Sequence, residues 1–308
     1  MLKGIFENSS PGRKLLLLFF LLLGALLIAS IFSLIISMLI WGNDIRILLE
    51  TPDYNDSRVV AALKLSQLIS FVGGLLLPAL AFLWITDAEF YNCRKRGSTA
   101  KSWSLLLTIT FILCIQPFIG LLSDWNQMLK LPQALSGIEN WIRAKEDSNG
   151  DIAKAFVSAT TVTGLIYNIF LMAIIPAFGE ELVFRAALGR LLKNWTRSIH
   201  WAAFITAFLF SAVHLQFYGF LPRFVLGLGL AYLFFWSGSI WWPILAHFIN
   251  NFIAVLAAFL FQNGYTTIDP EKVGTFDSAY PGLISLIITL FLIFMFKRVN
   301  SKQKTEQT

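Results

Sequence analysis

Apolar residues fall in long blocks along the chain. Eight stand out: Leu15–Trp41, Val59–Ile85, Trp103–Leu122, a long one from about Phe156 to Leu192, Ile199–Leu215, Pro222–Trp236, Pro243–Phe261 and Pro281–Phe296. A run of about 20 apolar residues spans a bilayer as a helix, and a helix satisfies its own backbone in lipid. The pattern therefore predicts an all-α fold, a polytopic transmembrane bundle of eight helices. Pro117 is expected to kink the third span. The fourth block exceeds one crossing, so it is expected to protrude, tilt or break at Pro176 and Gly179. In the loop Ser123–Lys154, Ala134, Ile138, Trp141 and Ile142 share one helix face. They predict an extra amphipathic helix, lying on the membrane surface or packed over the ends of the bundle. Three regions follow: 1–155, with three spans and the outer loop; 156–298, a membrane region of five spans; and 299–308, a polar tail expected to be disordered.

Composition agrees with the blocks. Of 308 residues, 56% are hydrophobic and 14% charged, where a soluble domain carries about 25% charged residues. The net charge of +6 is not read as a nucleic-acid signal, because the basic residues sit in loops between spans. Their placement predicts orientation. The side of both termini collects Lys3, Arg13, Lys14, the cluster Arg94–Lys101, Arg190, Lys193, Arg197 and Lys297–Lys304; the opposite loops, to which Arg223 is assigned, hold fewer basic residues and most of the loop acids. Both termini are expected to be cytoplasmic, in the inner (plasma) membrane if the source is bacterial. The first block exceeds a signal-peptide core and is read as a retained span. Cys93 lies in a basic loop and Cys114 in a span, so no disulfide is expected. No partner other than the bilayer and a membrane-associated peptide or protein is implied, and the oligomeric state is open.

Against this apolar background one stretch is out of place: Pro176-Ala-Phe-Gly-Glu180-Glu181-Leu-Val-Phe-Arg185. Ionisable groups at membrane depth are costly and mark functional sites. Glu181 and Arg185 are four apart, in the favourable order for a helical ion pair. Glu180 has Phe184 at that spacing and is left without a local partner. The plain alternative is a structural Glu–Arg pair between helices. His214 and His247 also lie within apolar blocks, and Asn251 shares a helix face with His247; each taken alone reads as a polar bridge between helices. Together the six residues favour one polar cavity, expected in the cytoplasmic half of the membrane.

Such a set can hydrolyse an amide. Glu180 would act as general base on water. His214 would orient the water or protonate the leaving amine, and His247 with Asn251 would hold the oxyanion. A second scheme makes His214, His247 and one Glu the ligands of a catalytic zinc. No His-Glu-x-x-His pair is present, so the cofactor-free scheme is favoured and zinc is retained as the alternative.

Glu180-Glu181-x-x-x-Arg185, Phe210-x-x-x-His214 and His247-x-x-x-Asn251, in this order, resemble the three motifs of the CAAX protease and bacteriocin-processing family, also called Abi or type II CAAX prenyl endopeptidase-like. The resemblance covers about Phe156 to Phe261. It implies an intramembrane endopeptidase with Glu180 as base, His214 essential, an oxyanion site at His247 and Asn251, and Glu181 with Arg185 in support. It implies a membrane-associated or lipidated protein or peptide as substrate. A catalytically idle scaffold or immunity protein of the same family is the first rival, and a proton-coupled transporter the second; no duplicated halves support the latter.

Overall fold

The computed structural model describes residues 3–50, 52–86 and 102–305. The expectations for Cys93 and the Arg94–Lys101 cluster, and for the end of the polar tail, lie outside the described residues. Ten helices make up the described fold: α1 (Pro11–Trp41), α2 (Ile45–Glu50), α3 (Ser57–Thr86), α4 (Ser102–Gln127), α5 (Ser136–Val157), α6 (Val162–Thr196), α7 (Ile199–Ala212), α8 (Phe220–Ser237), α9 (Trp241–Gln262) and α10 (Tyr280–Thr305). There is no strand among the described residues. Seven of these helices are long and apolar enough to cross a membrane, and α7 is a shorter apolar helix. The protein is an integral membrane protein built as an all-α bundle. At 14 residues, α7 rises about 21 Å, less than the ~30 Å hydrocarbon layer. Its last turn, followed by His214, therefore ends inside the bundle's depth when its first turn lies at the membrane surface.

Local chemistry sets the boundaries. The Asp56 side chain accepts from the Arg58 N–H and starts α3; Thr161 does the same for Gly164 at α6, and Ser198 for Trp201 at α7. The Thr161 cap places the start of the fourth span at Val162 rather than near Phe156, which lies in the last turn of α5 instead. At Ile115 the helical run of α4 is interrupted, two residues before Pro117, because proline lacks an N–H and crowds the preceding turn. Pro176 and Gly179 do not break α6. The turn before Pro176 widens into a π-helical segment, Phe170–Ile174, and a second one, Leu182–Gly189, follows the two glutamates. Such a widened turn absorbs the proline ring, and π segments often occur at functional sites. Running unbroken for 35 residues, α6 is about 52 Å long and must extend beyond the bilayer.

One apolar cluster joins α1, α3, α6, α7 and α8 through Leu18, Phe82, Val183, Phe210 and Phe234; another joins α4, α8, α9 and α10 through Phe111, Leu230, Trp242 and Phe296. The central helix α8 belongs to both. Gly227 lets it approach α7, where a Cβ would stand 3.3 Å from Ala207, as small residues do between membrane helices. The outer chains of α1, among them Phe20, Ile28 and Leu39, are exposed, as lipid-facing chains must be. Asn300 was expected in a disordered tail. It is buried within α10, where Nδ2 donates to Phe296 O and to Ser104 Oγ of α4.

The amphipathic helix is α5, and its polar side carries the contacts. Glu139 accepts from the Leu131 N–H, from Arg143 and from the Tyr218 hydroxyl, while Glu146 accepts from the Tyr218 N–H at 3.0 Å. Ile138 and Trp141 remain exposed. The acids of α5 thus hold it over the loop 213–219, and Ile138 and Trp141 of its apolar stripe face away from the protein while Ile142 is half-buried.

Candidate active site

Glu180 and Glu181 end the short α-helical turn between the two π segments of α6. Glu181 is fully buried. Its Oε1 accepts from Arg185 Nη1 at 2.8 Å and from His247 Nδ1 at 2.8 Å. Arg185 continues to α8, where Nη2 donates to the Gly227 carbonyl at 3.0 Å, and its guanidinium lies 4.6 Å over the Phe210 ring. Glu181 and Arg185 therefore tie α6, α8 and α9 together. This is the pairing that the i, i+4 spacing predicts, with His247 as an additional partner that spacing cannot reveal.

Glu180 has different surroundings. Its Oε2 lies 3.8 Å from His247 Nε2, and it has no hydrogen-bond partner among the described residues. The side chain keeps 11% of its surface open. Because a carboxylate only accepts, His247 gives its Nδ1–H to Glu181 and turns Nε2 toward Glu180. Two polar atoms 3.8 Å apart can share one water placed to the side.

His214 follows the last turn of α7, and its Nδ1 donates to the Phe210 carbonyl at 2.7 Å. The neutral ring then presents a bare Nε2, an acceptor. No direct hydrogen bond joins His214 to the glutamates. The connection runs through Phe210, whose ring meets His214 at 5.2 Å, His247 at 5.8 Å and Phe184 at 5.3 Å. Leu215, the next residue, has φ 53°, a left-handed conformation that is strained for leucine. Several staples hold this loop. Ser211 Oγ donates to Phe220 O at 2.7 Å, while Asn126 donates to Phe217 O and accepts from the Leu221 N–H, both at 2.8 Å.

Asn251 stands one turn beyond His247 on α9 and makes no hydrogen bond to the glutamates. Gln116, at the interruption of α4, donates to Asn250 Oδ1 at 3.2 Å, and Asn250 Nδ2 donates to Asn251 Oδ1 at 3.3 Å. With its oxygen taken, Asn251 presents its N–H donors. Sequence reasoning missed Gln116 and Asn126, which lie outside the spaced motifs, and Asn250, an unmarked position within the third. It also assigned Arg223 to an outer loop, whereas Arg223 is half-buried in the first turn of α8, where Nη2 donates to Gln216 Oε1. Among the described residues no three His, Cys, Asp or Glu side chains gather as metal ligands, and Glu181 is engaged by Arg185 and His247.

Residues 162–253 match the family model described as Type II CAAX prenyl endopeptidase Rce1-like. The match covers less than a third of the chain and includes every residue from Glu180 to Asn251. No curated protein and no solved structure matches the chain.

Proposed function

From the membership of residues 162–253 in the type II CAAX prenyl endopeptidase Rce1-like family, we propose that the protein is an intramembrane endopeptidase that hydrolyses a peptide bond of a membrane-associated or lipidated substrate, with Glu180 as general base. The observation that carries this reading is the contrast between the two carboxylates. Glu181 is held by Arg185 and His247, while Glu180 faces His247 Nε2 at 3.8 Å with no hydrogen-bond partner among the described residues.

The geometry supports the division of labour: Glu181 is committed to Arg185 and His247, while Glu180 is open to a water beside His247 Nε2. The scheme takes Glu180 as the free base and His247 with a proton on Nε2, so that Nε2–H is a donor. Water, oriented by the bare Nε2 of His214, attacks the carbonyl carbon and gives a proton to Glu180. The oxyanion receives hydrogen bonds from His247 Nε2–H and Asn251 Nδ2–H. As the C–N bond breaks, Glu180 passes its proton to the leaving nitrogen. This scheme uses no metal. The engagement of Glu181 by Arg185 and His247 favours it over a zinc scheme that would use that carboxylate. The reading assigns both termini to the cytoplasmic side, following the excess of basic residues in the loops that share their side.

The test compares membrane peptides in cells carrying the wild-type protein or Glu180→Ala. Accumulation of an uncut membrane peptide or protein in the variant alone is expected. Identical peptide sets, with both proteins present in equal amount, would favour the idle scaffold.

A further inference from the structure

The amides behind Asn251 can be arranged in one direction only. They start at the interruption of α4, which α10 bolts in place. Ser285 Oγ donates to the Cys114 carbonyl and accepts from the Phe118 N–H at 3.2 Å. The loop before α10 closes on the same turn. There Gly274 has φ 86°, and a Cβ on it would stand 2.8 Å from the Gln116 carbonyl oxygen. From this fixed turn Gln116 reaches α9. Its Nε2 donates one hydrogen to the Ile112 carbonyl at 2.9 Å and the other to Asn250 Oδ1 at 3.2 Å.

A backbone carbonyl only accepts, so Ile112 decides which end of the Gln116 amide faces it. Gln116 then shows a donor to Asn250, and Asn250 meets it with its oxygen. Asn250 Nδ2 is left to donate to Asn251 Oδ1 at 3.3 Å. Turning any one of the three amides round would set donor against donor or acceptor against acceptor. The direction of the row is therefore set by the backbone of α4. It ends with the Asn251 N–H donors free, one turn along α9 from His247.

We infer that Gln116 is a positioning residue: through Asn250 it holds the Asn251 carboxamide with its N–H donors toward the oxyanion. A residue of the third span, outside the family match at 162–253, thereby takes part in the reaction. The role of Asn251 rests on the peptidase reading, but the row of amides can be read without turnover. Amides between membrane helices also act as glue, and the two roles predict different kinetics.

The experiment uses the full chain, in proteoliposomes for kinetics and in detergent for spectroscopy. N-acylated peptides of randomised sequence are offered to the wild type, and the peptide cut fastest serves for kcat and KM. Gln116→Met and Asn250→Leu keep the bulk of each side chain and break the row at its start and in its middle. Each is expected to lower kcat by about three- to tenfold, the worth of one hydrogen bond, with KM little changed. In an Asn251→Ala background neither should lower kcat further, because the group they orient is gone. Glue between α4 and α9 would act whether or not Asn251 is present. An equal loss in that background, or an unchanged kcat in either variant, would therefore overturn the inference. In protein carrying isotope-labelled asparagine, the side-chain amide signal of Asn251 is identified by its loss in Asn251→Ala. That signal should shift in both Gln116→Met and Asn250→Leu. A shift with no peptide cut by the wild type would overturn the peptidase reading and leave the row of amides standing; an unmoved signal would overturn the inference.

Discussion

Glu180 and Glu181 are adjacent in sequence and differ in everything that matters for their roles. Glu181 holds a buried cation at 2.8 Å and a histidine at 2.8 Å. Glu181→Gln removes the countercharge of Arg185 and is expected to destabilise the protein by about 3–5 kcal/mol, the cost of breaking a buried pair. The double change Glu181→Gln with Arg185→Met should recover part of this. The recovery is partial because Arg185 also holds the Gly227 carbonyl and covers the Phe210 ring. Detergent melting curves of both variants check this; a single variant that melts like the wild type would refute the assignment. The pair was legible in the sequence, since i, i+4 spacing puts both side chains on one helix face. The His247 bond was not, because it joins residues 66 apart in the chain and depends on how α9 packs against α6. The motif positions told which residues to watch but not which nitrogen of each histidine is pinned. Only the Glu181 and Phe210 oxygens decide that.

At the scale of elements, the loop after α7 is where packing adds most to the sequence. Its His214 was visible as a polar residue in an apolar block; the clamp on it was not, because Asn126, Glu139 and Glu146 lie in α4 and α5, far from it in sequence. The amphipathic pattern predicted α5 from its apolar stripe, yet the acids on the other side make its contacts. A test follows from Glu139, which lies outside the membrane spans. The hydrogen bond from Arg143, then that from the Leu131 N–H, holds its carboxyl below the ordinary 4.5. For an acid lowered in the folded state, the stabilisation is present above the unfolded value and is lost as pH falls through the folded one. Protection of loop 213–219 in hydrogen exchange, corrected for intrinsic rates, should therefore be flat from neutral pH to about 5 and fall below about 4. Glu139→Gln should show reduced protection already at neutral pH. Protection that persists in this variant would show that Glu139 does not clamp the loop. Asn126→Ala should loosen the same loop and lower turnover, because two hydrogen bonds at 2.8 Å are lost together. Turnover equal to the wild type in Asn126→Ala would remove Asn126 from the account.

Across the whole molecule, the apolar blocks predicted the membrane bundle because lipid imposes one rule on every span. They were less exact where local chemistry overrides that rule. The Thr161 cap moves the start of α6, the π turn around Pro176 keeps it continuous, and α7 stops short of a full crossing. Orientation rests on charge outside the described residues as well as within them. Impermeant thiol labelling of Lys302→Cys, with Cys93 and Cys114 replaced by serine, should modify the protein only after the membrane is opened; labelling from outside intact cells would reverse the topology. The central claim is that Glu180 is the base of a hydrolytic site held in shape by its neighbour. The most direct measurement is peptide cleavage in proteoliposomes by wild type and Glu180→Gln, paired with melting curves of both. Glutamine keeps the size and cannot take the proton, so turnover should fall by about 10²–10⁴-fold with the melting temperature little changed. Near-wild-type turnover in Glu180→Gln would contradict the account.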